Sequence, residues 1–191
     1  MHRKCKFCRK PFKPRFTTLQ PTCSIKCAID LATQEKSDAR RKELKQKVVI
    51  EDVGYQHKLT QPVFNKMRVL EEKHWFRERG IEPYCISCEK THRKWSCGHL
   101  KTVGAQSNLR YDPSNTFLQC WWRCNKNLSG NIEGNKTTCG YKRGLILRFG
   151  PEEGRAIIDY CDTHTSPGEW NWLDLKIFRA ECSARIRELT A

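Results

Sequence analysis

Four close cysteine pairs constrain this chain more than any other feature. Cys5 and Cys8, and again Cys85 and Cys88, are spaced Cys-x2-Cys, whereas Cys23 and Cys27, and Cys120 and Cys124, are spaced Cys-x3-Cys. Two such pairs on two turns can converge tetrahedrally on a Zn²⁺ ion. The 14 residues between Cys8 and Cys23 allow a hairpin but no hydrophobic core. We therefore expect one zinc site from Cys5, Cys8, Cys23 and Cys27. A second, from Cys85, Cys88, Cys120 and Cys124, pins the ends of a 40-residue unit. Four thiolates leave no open position for water, so both sites read as structural. Cys97 and Cys139 are spare in the second region. Either can replace one of the four, and His99 can itself ligate zinc, so this set has an alternative assignment.

Paired cysteines favour metal over disulfide only where thiols stay reduced. The N-terminus MHRKCKFCRK lacks the apolar segment of a signal peptide, and no apolar run approaches the ~20 residues needed to span a bilayer. The expectation is a cytoplasmic protein with no membrane partner. Lys and Arg total 36 against 21 Asp and Glu, a formal charge of +15. Two tetrathiolate zinc sites lower it by 2 + 2, to about +11. Such a balance points to a polyanionic partner.

Organisation along the chain follows from pattern. Residues 1–32 read as the N-terminal knuckle and 33–80 as a basic helical connector. QEKSDARRKELKQK reads as a solvated helix or a plain connector, and a helix starts at Thr60 with Pro62 in its first turn, carrying Val63, Phe64, Met67, Leu70 and His74 at helical spacing to Gly80. Residues 81–149 hold the second zinc set, and YKRGLILRF is helical up to Gly150. The region 150–191 reads as a helical tail. Pro151 opens one helix with Ala156, Ile157, Tyr160 and Cys161 inward. Asn171 caps the last, with Asp174 completing a capping-box-like arrangement and Leu173, Ile177, Ala180 and Ala184 on one stripe. Trp170 and Trp172 read as packing residues. Of Trp121 and Trp122, one is expected beneath the knuckle and the other free to stack on an unpaired base.

The region between the second cysteine pairs contains a further order: YCISC, W-x-x-GH with His99, LRYDPSN with Asn115, then QCWWRCN with Asn125. It resembles the HNH, or ββα-metal, nucleases that use zinc as scaffold, and more narrowly the phage lambda NinG (Rap) recombination proteins. The narrower resemblance covers most of the chain. It implies an α+β protein with a zinc-stabilised ββα-metal core, an N-terminal zinc knuckle and a helical C-terminal tail. It further implies a DNA endonuclease that cuts branched recombination intermediates, including Holliday junctions, in the bacterial host cytoplasm. By position, His99 corresponds to the general base, Asn115 to the residue steadying the catalytic loop, and Asn125 to a ligand or positioner of a divalent cation. The departure lies upstream, where HNH and NinG proteins can carry an acidic residue one or three places before the histidine; here those places hold Gly98 and Ser96.

The chemistry suits the residues independently. Imidazole, with an ordinary pKa of ~6.5, can take a proton from water attacking phosphorus. Mg²⁺ or Mn²⁺ on oxygen ligands can stabilise the leaving O3′, which a tetrathiolate zinc cannot. Arg93, Lys94, Lys101, Arg110, Arg123, Lys126 and Lys136 surround the motif residues and are candidate phosphate contacts. Paired cuts at a junction suggest a homodimer. Two rivals stand against the endonuclease reading: a non-catalytic zinc-stabilised adaptor binding branched or single-stranded DNA, and a structural zinc protein that recruits another protein.

Overall fold

The computed structural model describes residues 2–126, 132–134, 140–165 and 168–191. The chain divides into two units, Met1–Asp52 and Val53–Ala191, so the boundary falls inside the segment read as a single connector. In the first unit, β1 (Arg3–Lys4) pairs antiparallel with β2 (Pro11–Phe12). Helix α1 (Ile25–Glu51) follows. Ser24 starts it: its backbone is extended and its hydroxyl accepts the Cys27 N–H at 3.2 Å, satisfying a donor that the first turn leaves open. No α1 residue is buried, in keeping with its polar sequence. Among the described residues of this unit, only Cys5 and Thr22 are buried.

The second unit opens with α2 (Val53–Glu78). This corrects the expected start at Thr60: about two turns precede it, and Pro62 lies inside the helix. A proline there forfeits one backbone bond. Contacts from the last helix of the chain, α5 (Trp172–Thr190), hold the preceding turns in place. Arg179 Nη1 donates to Gln56 Oε1 at 2.9 Å, and Thr60 Oγ1 donates to the Leu175 carbonyl at 3.3 Å.

Strands β3 (Trp95–His99) and β4 (Thr116–Cys120) form an antiparallel pair with Trp95 opposite Cys120 and His99 opposite Thr116. One turn of π-helix (Trp121–Asn125) follows β4, and α3 (Tyr141–Phe149) and α4 (Pro151–Thr163) come next. The fold is mixed α+β, mostly helical with two small sheets.

A two-stranded sheet is marginal alone. Here α2 and the second knuckle saturate its free edge. Glu72 Oε2 accepts the Leu118 N–H at 3.0 Å, the Ile86 N–H donates to the Leu118 carbonyl at 2.9 Å, and Arg68 donates to Thr116 Oγ1 at 3.0 Å and to its carbonyl at 2.9 Å. The buried Tyr141 hydroxyl bridges the strands, donating to the Gly98 carbonyl at 2.7 Å and accepting from the Phe117 N–H at 3.0 Å. Side chains alternate across the sheet. Phe117 packs on one face with Ile86, Leu109, Tyr141 and Leu145, while Cys97 packs on the other with Phe64, Met67, Tyr111 and Leu175.

Two expected helix faces are corrected. Helix α4 buries Gly154, Ile158 and Cys161, leaving Ala156 and Tyr160 exposed. Its close approach to α3 sets this rotation, because a Cβ at Gly154 would lie 2.6 Å from Ile146 Cα. Helix α5 buries Leu175 and Cys182, with Phe178 and Ile186 partly covered, whereas Leu173 and Ile177 face solvent. Both stripes had helical spacing, and the bonds to Gln56 and Thr60 select the one turned toward α2. Trp170 packs against Tyr111 and Phe178, as a packing residue should.

Candidate functional site

The two cysteine sets are built on the same backbone device. In the first, the Cys5 N–H donates to the Lys10 carbonyl at 2.9 Å, and the Arg9 N–H returns to the Cys5 carbonyl at 3.0 Å. In the second, the Cys85 N–H donates to the Lys90 carbonyl at 3.0 Å, and the Glu89 N–H to the Cys85 carbonyl at 2.9 Å. Arg9 and Glu89 both adopt positive φ, 62° and 55°, which closes each loop. The third cysteine then donates its N–H to the first sulfur, Cys23 to Cys5 Sγ at 3.4 Å and Cys120 to Cys85 Sγ at 3.3 Å.

Within each set the four Sγ atoms lie within 4.8 Å of one another. A tetrahedral Zn²⁺ with Zn–S near ~2.3 Å has sulfur–sulfur edges of about 3.8 Å, and the Cys8–Cys23 and Cys23–Cys27 sulfurs are 3.6 Å apart. Both sets can hold a structural zinc ion. Burial raises the Cys5 thiol, but the backbone N–H groups of Cys8, Cys23 and Phe7 outweigh it and bring the pKa down to about 6, the direction a metal thiolate needs. Cys97 and His99 belong to neither set. Cys97 lies in the core, where burial pushes its thiol up to about 12. Cys139 lies outside the described residues.

His99 ends β3, partly buried, and its Nε2 lies 3.2 Å from the Arg110 carbonyl. A carbonyl only accepts, so Nε2 carries the proton and the lone pair is left on Nδ1. Burial lowers the His99 pKa below 6.5, the Arg110 guanidinium adds to this, and the bond to the Arg110 carbonyl opposes both. The loop carrying Arg110 is stapled by the fully buried Asn115. Its Oδ1 accepts the Lys101 N–H at 2.7 Å, and its Nδ2 donates to the Lys101 and Leu109 carbonyls, each at 3.0 Å. Both amide hydrogens and the amide oxygen thus hold the two sides of the loop together.

Asn125 borders a different space. It lines an open groove of about 440 Å³ with Asn65, Lys66, Trp95, Ser96 and Trp121 among others. Ser96 precedes His99 by three residues, or about 10 Å of strand. An acidic side chain next to His99 would require Gln119 to shift, since a Cβ at Gly98 would meet its Oε1 at 2.3 Å. Asp112 has both carboxylate oxygens engaged, one accepting the Ser114 N–H and the other the Tyr160 hydroxyl, each at 2.7 Å. Among the described residues, the two cysteine sets are the only groups of three or more His, Cys, Asp or Glu able to share an ion. These oxygen donors do not form a resident cage for Mg²⁺ or Mn²⁺.

Comparison with known proteins decides the family. The profile described as bacteriophage lambda NinG protein matches residues 1–191. The chain belongs to the NinG family. It is 28% identical to protein ninG of Escherichia phage lambda over 201 residues, covering 98% of this chain and 93% of that one. To protein ninG of Salmonella phage P22 it is 29% identical over 201 residues, with the same coverage. No solved structure matches this chain.

In this NinG-family chain the cations read from sequence fall into two groups. The Arg110 carbonyl meets His99, whereas Lys101 is ion-paired with Asp162. Arg93, Lys94 and Arg123 line a second groove with Trp121 and Trp122, and Lys126 lies over both indoles. Lys136 lies outside the described residues. The expectation that one of the two indoles packs beneath the knuckle is corrected, since Trp121 is 44% and Trp122 63% exposed. Their π-helical turn directs both outward while its cysteine neighbours point in.

Spacing along the chain assigns no role to Tyr111 or His57. Tyr111 Oη lies 2.9 Å from His57 Nδ1, and the Arg110 charge is felt by both histidines. Burial raises Tyr111 to about 12, so at neutral pH its hydroxyl stays protonated beside His57 Nδ1. His57 lies 54 residues from Tyr111 and nothing in local spacing links them. His92 also escaped the sequence reading; its Nε2 is 3.3 Å from Cys88 Sγ, and its place four residues after Cys88 was the one available signal.

Proposed function

We propose that this NinG-family chain is a structure-specific DNA endonuclease acting on branched recombination intermediates such as Holliday junctions. The observation that carries this reading is the His99–Arg110 arrangement: an imidazole whose Nε2 proton is committed to the Arg110 carbonyl, which leaves Nδ1 as its proton acceptor, and whose pKa the Arg110 charge helps to lower. The order of the two-stranded sheet and the helix after it supports a ββα-metal core, and the basic charge supports a DNA partner. Zinc fills the two cysteine sets as scaffold.

In the proposed reaction a water gives a proton to His99 Nδ1 as its oxygen attacks phosphorus. The P–O3′ bond breaks, and the leaving oxygen takes a proton from solvent. Arg110 offers its charge to a phosphate oxygen, and Asn115 keeps the loop that presents it in register. Mg²⁺ or Mn²⁺ on oxygen ligands would supply charge stabilisation at the leaving O3′, and no step here is assigned to it.

Cleavage of a four-way junction beside a matched linear duplex, with Mg²⁺, Mn²⁺ or no added divalent cation, tests the proposal. The junction should be cut preferentially. His99→Ala should lower the rate by about 10²–10⁴-fold while zinc content and junction affinity hold. Neutral His99 is the active form and its pKa lies below 6.5, so the acid limb of kcat/KM should fall below that value. The same shift should cost stability as pH falls below about 6.5, because the unfolded chain takes up the proton first.

The adaptor reading has one specific observation in its favour: positions 98 and 96 hold Gly and Ser, and the nearby carboxylate of Asp112 already accepts the Ser114 N–H and the Tyr160 hydroxyl. Salt-sensitive junction binding without any cutting would select it.

A further inference from the structure

The turn between Cys120 and Cys124 presents two tryptophans to solvent, with ring centroids 5.5 Å apart and planes inclined at 40°. Two neighbouring indoles so exposed on a strongly basic chain leave a large apolar area uncovered. They are not on a loose loop. Cys120 and Cys124, which bracket them, are both buried in the second cysteine set, so the turn is anchored at each end. Lys126 Nζ stands 4.4 Å from the Trp122 ring centroid and 5.6 Å from that of Trp121. An open groove of about 420 Å³ runs beside the pair, lined by His92, Arg93, Lys94 and Arg123 as well as the indoles and Cys120. No carboxylate lines it among the described residues.

We propose that Trp121 and Trp122, flanked by Arg93, Lys94, Arg123 and Lys126, form a stacking platform for the bases of an unpaired DNA strand. The inference rests on the DNA reading above and specifies the part of a branched molecule that is gripped. Indole faces ringed by cations match a strand in which each base offers a π-face and each linkage a negative charge. Paired bases have their faces occupied by their neighbours, so the platform selects single-stranded segments, such as those that open at a branch point. An acidic peptide would satisfy the cations and leave the indoles uncovered. Trp121 also borders the groove that contains Asn125, so a strand held on the platform lies next to that residue.

The test uses the full chain in buffer without added Mg²⁺ or Mn²⁺, with fluorescence anisotropy of a labelled oligothymidylate, an abasic oligomer of equal length and charge, and a matched duplex at one salt concentration. The oligothymidylate should bind more tightly than either competitor. Trp121→Ala/Trp122→Ala should weaken it about ten-fold or more, leave the abasic oligomer within about two-fold, and keep both zinc ions. The Trp121→Phe/Trp122→Phe variant, which keeps an aromatic face, should recover most of the affinity and guards against a turn that simply misfolds. Equal wild-type affinity for thymidylate and abasic strands, or an alanine variant that binds thymidylate as wild type does, overturns the platform and leaves the DNA reading intact. A wild-type chain with no affinity for any of these DNAs or for a four-way junction overturns both.

Discussion

The two cysteine knuckles share a backbone and differ in what surrounds them. Each has the same loop closed by a residue at positive φ and the same N–H to sulfur bond from the third cysteine. Around the first, only Cys5 and Thr22 are buried among the described residues, and the fourth sulfur sits in the first turn of a fully solvated helix. Around the second, all four cysteines are buried, Ile86 inserts into the core, and Gly144 comes so close that a Cβ there would meet the Ile86 carbonyl oxygen at 1.6 Å. One spacing pattern therefore serves two roles. In the first unit a zinc ion on the four sulfurs would stand in for a core; in the second it would tighten a core that other residues build.

Removing one ligand from each set is the strongest way to break that comparison. Cys8→Ser should abolish the first site and with it the ordered structure of the hairpin, because apparent zinc binding energies of about 10–16 kcal/mol are then folding energy. Cys88→Ser should abolish the second site yet leave the α2–α5 packing partly protected. Elemental analysis should fall from two zinc ions per chain to one in each variant, and hydrogen exchange should show which unit opened. Complete unfolding of both units by Cys88→Ser would erase the distinction.

The support given to the second knuckle can also be withdrawn without touching a cysteine. Glu72 holds the Leu118 N–H and pairs with Arg148 at 2.8 Å and Arg68 at 3.5 Å, all within the protein. Glu72→Ala removes the carboxylate paired with the buried Arg148 guanidinium, while Arg68 keeps Glu71 at 2.6 Å, and should cost about 3–5 kcal/mol in denaturant unfolding of the second unit, with zinc at the first site retained. The smallest effect belongs to the first knuckle. Ser24→Ala removes the cap that positions Cys27 and should cost about 0.5–2 kcal/mol, measured as weaker zinc retention at the first site alone.

The residues themselves announced both metal sets, the solvated character of α1, the start of α4 at Pro151 and the Asn171 cap of α5. Each of these depends on atoms close in sequence: ligand spacing, side-chain polarity, a ring that fixes φ, a side chain reaching its own helix end. His99 and Asn115 were legible because they lie within a short ordered run. The two helix faces, the start of α2 and the exposure of Trp121 and Trp122 were not, because several rotations or boundaries satisfy the same local pattern and only a packing partner chooses among them.

What the sequence determined by itself was therefore the inventory of local devices, two tetrathiol sets, a histidine and the loop that follows it, on a basic chain. Tertiary structure alone decided that the Tyr111 hydroxyl meets His57, that Lys101 pairs with Asp162, that Asp112 bonds the Tyr160 hydroxyl, and that Gln119 lies against Gly98. Those outcomes join residues tens of positions apart, and their distances are set by how α2, α4 and the sheet pack, a quantity that spacing along the chain does not contain.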